Sequence, residues 1–150
     1  MKPMKIPRIK NGTVIDHITA GNAIKVLRIL NIPQEQGSIV SVAINVKSRM
    51  GKKDIVKVEN REIAHTEVDK IALIAPKATI NIIRNYEVAE KHKVELPNQL
   101  VGIAKCSNPT CISNGEEPVE SRFIVLDKEK PRIQCYYCER EPEDIASRII

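Results

Sequence analysis

Four cysteines carry the most specific spacing in the chain: Cys106-x4-Cys111, a gap of 23 residues, then Cys135-x2-Cys138. Two close pairs separated by a loop can bring four thiolates to one tetrahedral point, the arrangement Zn2+ accepts in closed structural sites. Each pair brackets turn-forming sequence, Ser107-Asn-Pro-Thr110 in the first and Tyr136-Tyr137 in the second. Short loops of this kind aim backbone amides at the sulfurs. Two disulfides, or four unrelated cysteines, are the alternative readings. Nothing in the sequence signals an oxidising compartment, which favours a metal over disulfides. Four protein thiolates leave no open position for water, so one Zn2+ per chain would be structural rather than catalytic. The stretch around the cysteines has only a thin core, and a structural zinc contributes about 10–16 kcal/mol in small peptides.

A second group of residues could do binding chemistry. Asp16 and His17 follow a β-branched run, Lys53 and Lys57 alternate along a strand-like segment, and Asn81, Tyr86 and Lys91 follow further on. Lysine ammonium groups act as point charges for phosphate. Lys57, Lys91 and His17 could therefore meet a polyphosphate while Asp16 accepts from a ribose hydroxyl. Taken singly, each of these residues is a weak signal and reads better as part of a solvated outer face. No Gly-x-x-x-x-Gly-Lys-Ser/Thr or Gly-x-Gly-x-x-Gly loop is present. A nucleotide would have to be held by side chains on a sheet.

Enzyme readings find little support. The cysteines are used up, and His17, His65 and His92 are scattered. His65, just before a helix, reads as a surface residue. Asp16 and His17 are adjacent, so on a regular strand they point oppositely and make no dyad.

The elements that must position these groups are legible as alternating patterns. Residues 13–18 read as a strand, and 20–30 as a helix with Ala23, Val26, Leu27 and Leu30 on one face, stopped by Asn31-Ile-Pro33. Residues 38–46 and 53–59 read as strands joined by a turn at Ser48-Arg-Met-Gly51, an antiparallel hairpin. On the second of these, Lys53, Ile55, Lys57 and Glu59 share one face, and Asp54, Val56 and Val58 the other. Thr66, Glu67 and Asp69 open a helix with Val68, Ile71, Ala72 and Ala75 on its apolar face, and Pro76 closes it. Residues 78–84 form the last strand of the set. The order β-α-β-β-α-β is that of a ferredoxin-like sandwich, two helices on one face of an antiparallel sheet. The pattern lapses at 95–98, where a linker is expected. Short strands at 99–104, 122–126 and 132–134 then surround the cysteines. The expected class is α+β: a ferredoxin-like βαββαβ sandwich followed by a small all-β zinc-binding domain.

Charge divides along the same line. Residues 1–100 hold 17 basic and 10 acidic side chains, a net +7, and residues 101–150 hold 7 and 9, a net −2. The overall +5 and the cysteine pairs raise the alternative of a zinc-ribbon nucleic-acid adaptor. Such a protein would be basic around its cysteines and would stack bases on aromatic rings. This chain is acidic there, and its basic half offers only Tyr86 for stacking. No apolar run reaches the roughly 18 residues of a membrane span, and none resembles a signal peptide. A cytoplasmic protein without a nucleic-acid or membrane partner is expected.

Five motifs, in one order along nearly the whole chain, carry a resemblance. Asn11-Gly-Thr-Val-Ile-Asp-His17, Gly51-Lys-Lys-Asp-Ile-Val-Lys-Val-Glu-Asn60, Ala75-Pro-Lys-Ala-Thr-Ile-Asn81, Asn85-Tyr-Glu-Val88 and the cysteine set resemble the regulatory chains of aspartate carbamoyltransferase. The resemblance implies a non-catalytic subunit of pyrimidine biosynthesis. Residues 1–97 would form an allosteric domain binding nucleoside triphosphates, with CTP and ATP as opposing effectors and UTP as a further candidate. Residues 98–150 would form a zinc domain shaping the surface that grips the catalytic chain. Regulatory chains would pair as homodimers through their N-terminal domains, three pairs bridging two catalytic trimers. By position, Ile9 and Tyr86 would meet the base, largely through backbone groups. Asp16 and Lys57 would meet the ribose, Lys57 also the base, and His17 and Lys91 the phosphates. Asn81, Ile83 and Val88 would line the pocket, with Lys53 available to a second nucleotide or a metal. Asn108 and Glu139 would contact the catalytic chain. The chain departs from the family pattern at Pro7-Arg8, which bears on base discrimination, and at Pro109-Thr110 in the cysteine loop, which bears on catalytic-chain contacts.

Overall fold

A computed structural model of the protein describes residues 8–32, 38–49, 51–115 and 119–150. Pro7, Pro33 and Met50, all singled out in the sequence, lie outside the described residues. The elements run β1 (Gly12–Thr19), α1 (Ala23–Ile29), β2 (Val40–Ser48), β3 (Gly51–Glu59), α2 (His65–Ile74), β4 (Thr79–Arg84), β5 (Glu87–Lys93), β6 (Gln99–Val101), a 3-10 turn (Ile112–Asn114), β7 (Arg122–Asp127), β8 (Arg132–Cys135) and α3 (Ile145–Arg148).

Strands β1 to β5 form one antiparallel sheet in the order β2-β3-β1-β4-β5. The first four strands and two helices are the expected βαββαβ sandwich. Period-two alternation sends Ile15, Val56, Val58, Ile80 and Ile82 to one face, where they are buried with Val26 and Leu30 of the α1 region and Ile71 and Ala72 of α2. The sheet also gains a fifth strand. Residues 87–93 alternate weakly and every side chain in them is exposed, so no apolar period marked them. They pair because Asn85 and Tyr86 both take positive φ (53° and 66°), the geometry of a tight hairpin turn.

Helix α1 starts at Ala23 rather than residue 20, because Gly21 adopts φ +96° and Asn22 is non-helical. It stops where expected: Asn31 takes φ 59°, with Asn31 N donating to Arg28 O and Ile32 N to Leu27 O, both at 3.0 Å. That pattern closes a helix and prevents its continuation. At α2, Glu67 Oε1 accepts the Ala64 N–H at 2.9 Å, and Glu67 also pairs with Arg61.

The second sheet, β6-β7-β8, buries Leu100, Phe123 and Ile133. Strand β6 ends at Val101, short of the expected 104, because Gly102 turns the chain at φ 70°. This unit is not all β: the 3-10 turn and α3 complete it. The segment between the sheets is no solvated tether, since Val94 and Leu96 are both buried.

Candidate effector face and metal centre

The sheet face opposite the helices carries nearly all of the polar residues singled out in the N-terminal half. Strand register lines them up. Lys57 pairs with Val14, Val14 with Asn81, and Asn81 with Lys91, a single row across β3, β1, β4 and β5. At about 4.8 Å between strands, Lys57 and Lys91 stand roughly 14 Å apart at their backbones. A neighbouring row runs Glu59, Gly12, Ile83, Val88. Gly12 has φ +142°, and a Cβ there would lie 2.1 Å from the Val58 carbonyl oxygen, so no other residue fits. On the opposite side Asp16 pairs with Thr79, and Thr79 with Lys93. Thr79 and Lys93, not singled out in the sequence, share the strand parity of Asn81 and Lys91.

Asp16 and His17 depart from the regular strand assumed for them. The β1–β3 register shifts between Ile15 and Ile18, and His17 takes φ 57°, a β-bulge. Ile15 and Ile18 are both fully buried although three residues apart, which a regular strand would forbid. The bulge brings Asp16 and His17 together. Asp16 Oδ1 accepts the His17 N–H at 2.6 Å and lies 3.8 Å from His17 Nδ1, while that nitrogen is 2.8 Å from Thr79 Oγ1. The same carboxylate pairs with Lys53 Nζ at 2.9 Å.

A buried carboxylate holds this region. Asp54 is 0% exposed, and its Oδ2 accepts the N–H groups of Gly21 (2.9 Å) and Ala23 (3.1 Å) while Oδ1 accepts that of Asn45 (2.9 Å). It therefore ties together the start of α1 and a second bulge, in β2, where register shifts between Ala43 and Val46.

Lys57 is half-buried, and burial pushes its amine below the ordinary lysine range. The Asp16 charge pulls it back up, and Arg8 presses it down further. Ile9 is buried and Tyr86 is 53% exposed. The backbones of their segments are joined: Tyr86 N donates to Lys10 O at 2.9 Å, and Arg8 Nη2 donates to Tyr86 O at 3.0 Å. Asn81 Nδ2 reaches Val14 O at 3.3 Å, Ile83 is buried, and Val88 and Lys91 are exposed on β5. His65 is exposed, as expected of a surface residue. A cleft of about 480 Å3 lies elsewhere, between α2, the 94–96 segment and the β7–β8 turn.

In the C-terminal unit all four Sγ atoms lie within 4.8 Å of one another. Cys106–Cys138 and Cys111–Cys135 are each 3.6 Å apart, too far for the ~2.05 Å bond of a disulfide. A tetrahedron of ~2.3 Å Zn–S bonds has S···S edges of about 3.8 Å, so the set fits a tetrahedral ion. The turns aim donors at the sulfurs: Asn108 N at Cys106 (3.4 Å), Tyr137 and Cys138 N at Cys135, and Arg140 N at Cys138. Without a metal, burial and neighbouring thiols push Cys106 up to about 12. Burial also acts to raise Cys138, but the Arg140 N–H, the Asn108 amide and the adjacent thiols outweigh it and bring that thiol down to about 7. Asn108 is 8% exposed, its Oδ1 accepting from Thr110 N and Oγ1, whereas Glu139 is exposed with φ 61°.

Comparison with known proteins follows the same division. Residues 4–95 match the model of the aspartate carbamoyltransferase regulatory chain, allosteric domain, and residues 98–146 that of its metal binding domain. The chain belongs to the aspartate carbamoyltransferase regulatory chain family. Regulatory chains similar to it include that of Methanoculleus marisnigri, 58% identical over 144 residues, covering 95% of this chain and 91% of the relative. Those of Methanothermobacter thermautotrophicus (53% over 148 residues, 97% and 94% covered) and Thermococcus sibiricus (52% over 145 residues, 96% and 95%) are close behind. This is a regulatory chain with allosteric and metal-binding domains. Neither these matches nor the acidic balance around the cysteines favours a nucleic-acid adaptor. Among the described residues no helix is long and apolar enough to cross a membrane.

Proposed function

We propose that this chain is the non-catalytic, effector-binding subunit of a cytoplasmic aspartate carbamoyltransferase, with residues 1–97 as its allosteric domain and 98–150 as its zinc domain. Nucleoside triphosphates, CTP and ATP with UTP as a third candidate, bind the outer sheet face. The observation that carries this reading is the cross-strand row from Lys57 to Lys91, flanked by the bulge that brings Asp16 and His17 together. Asp16, released from Lys53, accepts from the ribose. Lys57 reaches the ribose and base, and His17 and Lys91 meet the phosphates. Ile9 and Tyr86 offer backbone groups to the base beside Asn81, Ile83 and Val88. The tetrahedral thiolate set takes one Zn2+, which holds the cysteine loops and with them Asn108 and Glu139 for the catalytic chain.

Pairing of regulatory chains is supported by the β2 edge. That strand ends the sheet, and Ile24, Ile39, Val42 and Ile44 around it are 37–67% exposed. An apolar edge strand is a ready site for a second copy, and three such pairs would bridge two catalytic trimers.

A bound nucleotide acts at a distance only by binding two quaternary states unequally, typically by about 1–3 kcal/mol. The decisive experiment combines the purified chain with catalytic trimer and titrates CTP and ATP. Shifted substrate saturation is expected, and unchanged saturation under both nucleotides refutes the proposal. Lys91→Ala should weaken triphosphate binding more than nucleoside binding, and equal losses would remove Lys91 from the phosphate role.

A further inference from the structure

The carbonyl oxygen of Cys106, the first of the four metal-ligating cysteines, accepts two hydrogen bonds. Asn114 Nδ2 donates at 2.9 Å, and Arg148 Nη2 donates at 2.8 Å. The donors approach from different parts of the chain. Asn114 ends the 3-10 turn that follows Cys111 and also donates to Asn108 O at 2.7 Å. Arg148 comes from α3, and its Nε donates to Lys105 O at 3.0 Å, so one guanidinium spans two successive carbonyls.

The backbone around Arg148 is fastened to the same stretch. Lys105 N donates to Arg148 O at 2.7 Å, Ile150 N donates to Ile103 O at 2.9 Å, and Ala104 and Ile149 form an antiparallel bridge. On its other side the segment reaches the N-terminal domain. Lys70 of α2 donates its Nζ to the Ile150 carbonyl at 2.6 Å, and Ile145, Ala146 and Ile149 pack against the buried core.

We propose that Arg148 is a positioning residue for the metal: it fixes the backbone of the first ligand from outside both cysteine loops, and so links metal loading to the docking of α3 on α2. A planar guanidinium is suited to this because its fork is pre-organised to hold two acceptors at once. Its charge also stands beside a site that carries a formal −2 when four thiolates hold one divalent ion. Groups that orient a ligand from the next shell typically change metal affinity 10–100-fold when removed. Neither Asn114 nor Arg148 has any metal-ligand signature in the sequence; both are brought to Cys106 by the fold.

The inference rests on the metal reading, so the experiment separates the two. The full-length native chain is loaded with Zn2+ and its zinc content measured, which tests the metal reading alone. Zinc transfer to a chromogenic chelator is then timed for native chain, R148Q, R148K and R132Q. Arg132, paired with Glu141 at 3.0 Å on the exposed side of β8, controls for loss of a nearby charge. R148Q should release zinc about 10-fold faster, R148K by less, and R132Q at the native rate. Hydrogen exchange should show the Lys105 and Ile150 amides losing protection in R148Q. Cobalt-loaded R148Q should keep a tetrahedral absorption spectrum, showing that the four ligands remain. Release from R148Q within twofold of the native rate overturns the role of Arg148. If R148Q does not fold, K70M, which leaves both donors on Cys106, answers for the linkage. Roughly twofold to threefold faster release from K70M is expected, and release at the native rate overturns it.

Discussion

Asp54→Asn is a near-isosteric change at a position that reaches no solvent, and its cost can be worked out bond by bond. The carboxylate accepts from Gly21 and Ala23 on one oxygen and from Asn45 on the other. An asparagine keeps a single carbonyl oxygen. With that oxygen facing Gly21 and Ala23, two hydrogen bonds survive but become neutral, losing about half of the ~1.5–3 kcal/mol each is worth to a charged acceptor. The amide nitrogen then confronts the Asn45 N–H, donor against donor, and an orphaned buried donor costs about 1–3 kcal/mol. The flipped amide is worse, because it orphans two donors. Relief from burying a charge offsets part of the loss. A destabilisation of about 3 kcal/mol is expected.

Urea unfolding of the metal-loaded full chain, followed by far-ultraviolet circular dichroism, reads this as a lower midpoint at an unchanged slope. Asp16→Asn provides the comparison. Asp16 pairs with Lys53 at 2.9 Å, but its side chain is 26% exposed, and a pair of that kind contributes about 1 kcal/mol or less. A loss below about 0.5 kcal/mol in Asp54→Asn, or a loss no larger than that of Asp16→Asn, would refute the assignment of Asp54 as the anchor of α1 and the β2 bulge.

Tyr86→Gly should raise stability by up to about 1 kcal/mol, because Tyr86 holds φ 66° against side-chain sterics while its ring is half exposed. A thermal melt checks this. Because burial lowers the Lys57 pKa, its ammonium deprotonates at a lower pH than an ordinary lysine. Its contribution to triphosphate binding is full at neutral pH and is lost as pH rises through that depressed value. Binding isotherms from pH 7 to pH 11 should show an alkaline loss that begins later in Lys57→Arg. Removing the metal with a chelator should expose the amides of β7 and β8 to hydrogen exchange while β1 and β4 stay protected. Their hydrogen-bond ladders run to each other and to β3 and β5, not to the cysteine-bearing sheet.

How far the sequence could be read depended on whether a feature is periodic and local. Alternation in residues 53–59 placed Asp54, Val56 and Val58 on the buried face and Lys57 on the open one, because strand parity needs no knowledge of partners. The cysteine spacing predicted a four-thiolate site, since ligand spacing reflects turn geometry. Strand β5 escaped notice because an exposed edge strand has no apolar period to show. The bulge at Asp16 and His17 was equally hidden. It depends on how many residues of β3 lie opposite β1, a property of the pairing and of neither strand alone.

By itself, then, the sequence determined the βαββαβ order of the first six elements, the charge division at residue 100, the ligand set and the family motifs. All of these rest on residue types at short spacing. Only the tertiary structure decided which distant groups share a place: Asp54 with Gly21 and Asn45, His17 with Thr79, Arg148 with Cys106, Lys70 with Ile150. These contacts join residues 9 to 80 positions apart. All but the His17–Thr79 side-chain pair exist because backbone donors and carbonyls left over by bulges, helix ends and loops must find partners wherever folding has brought one within reach.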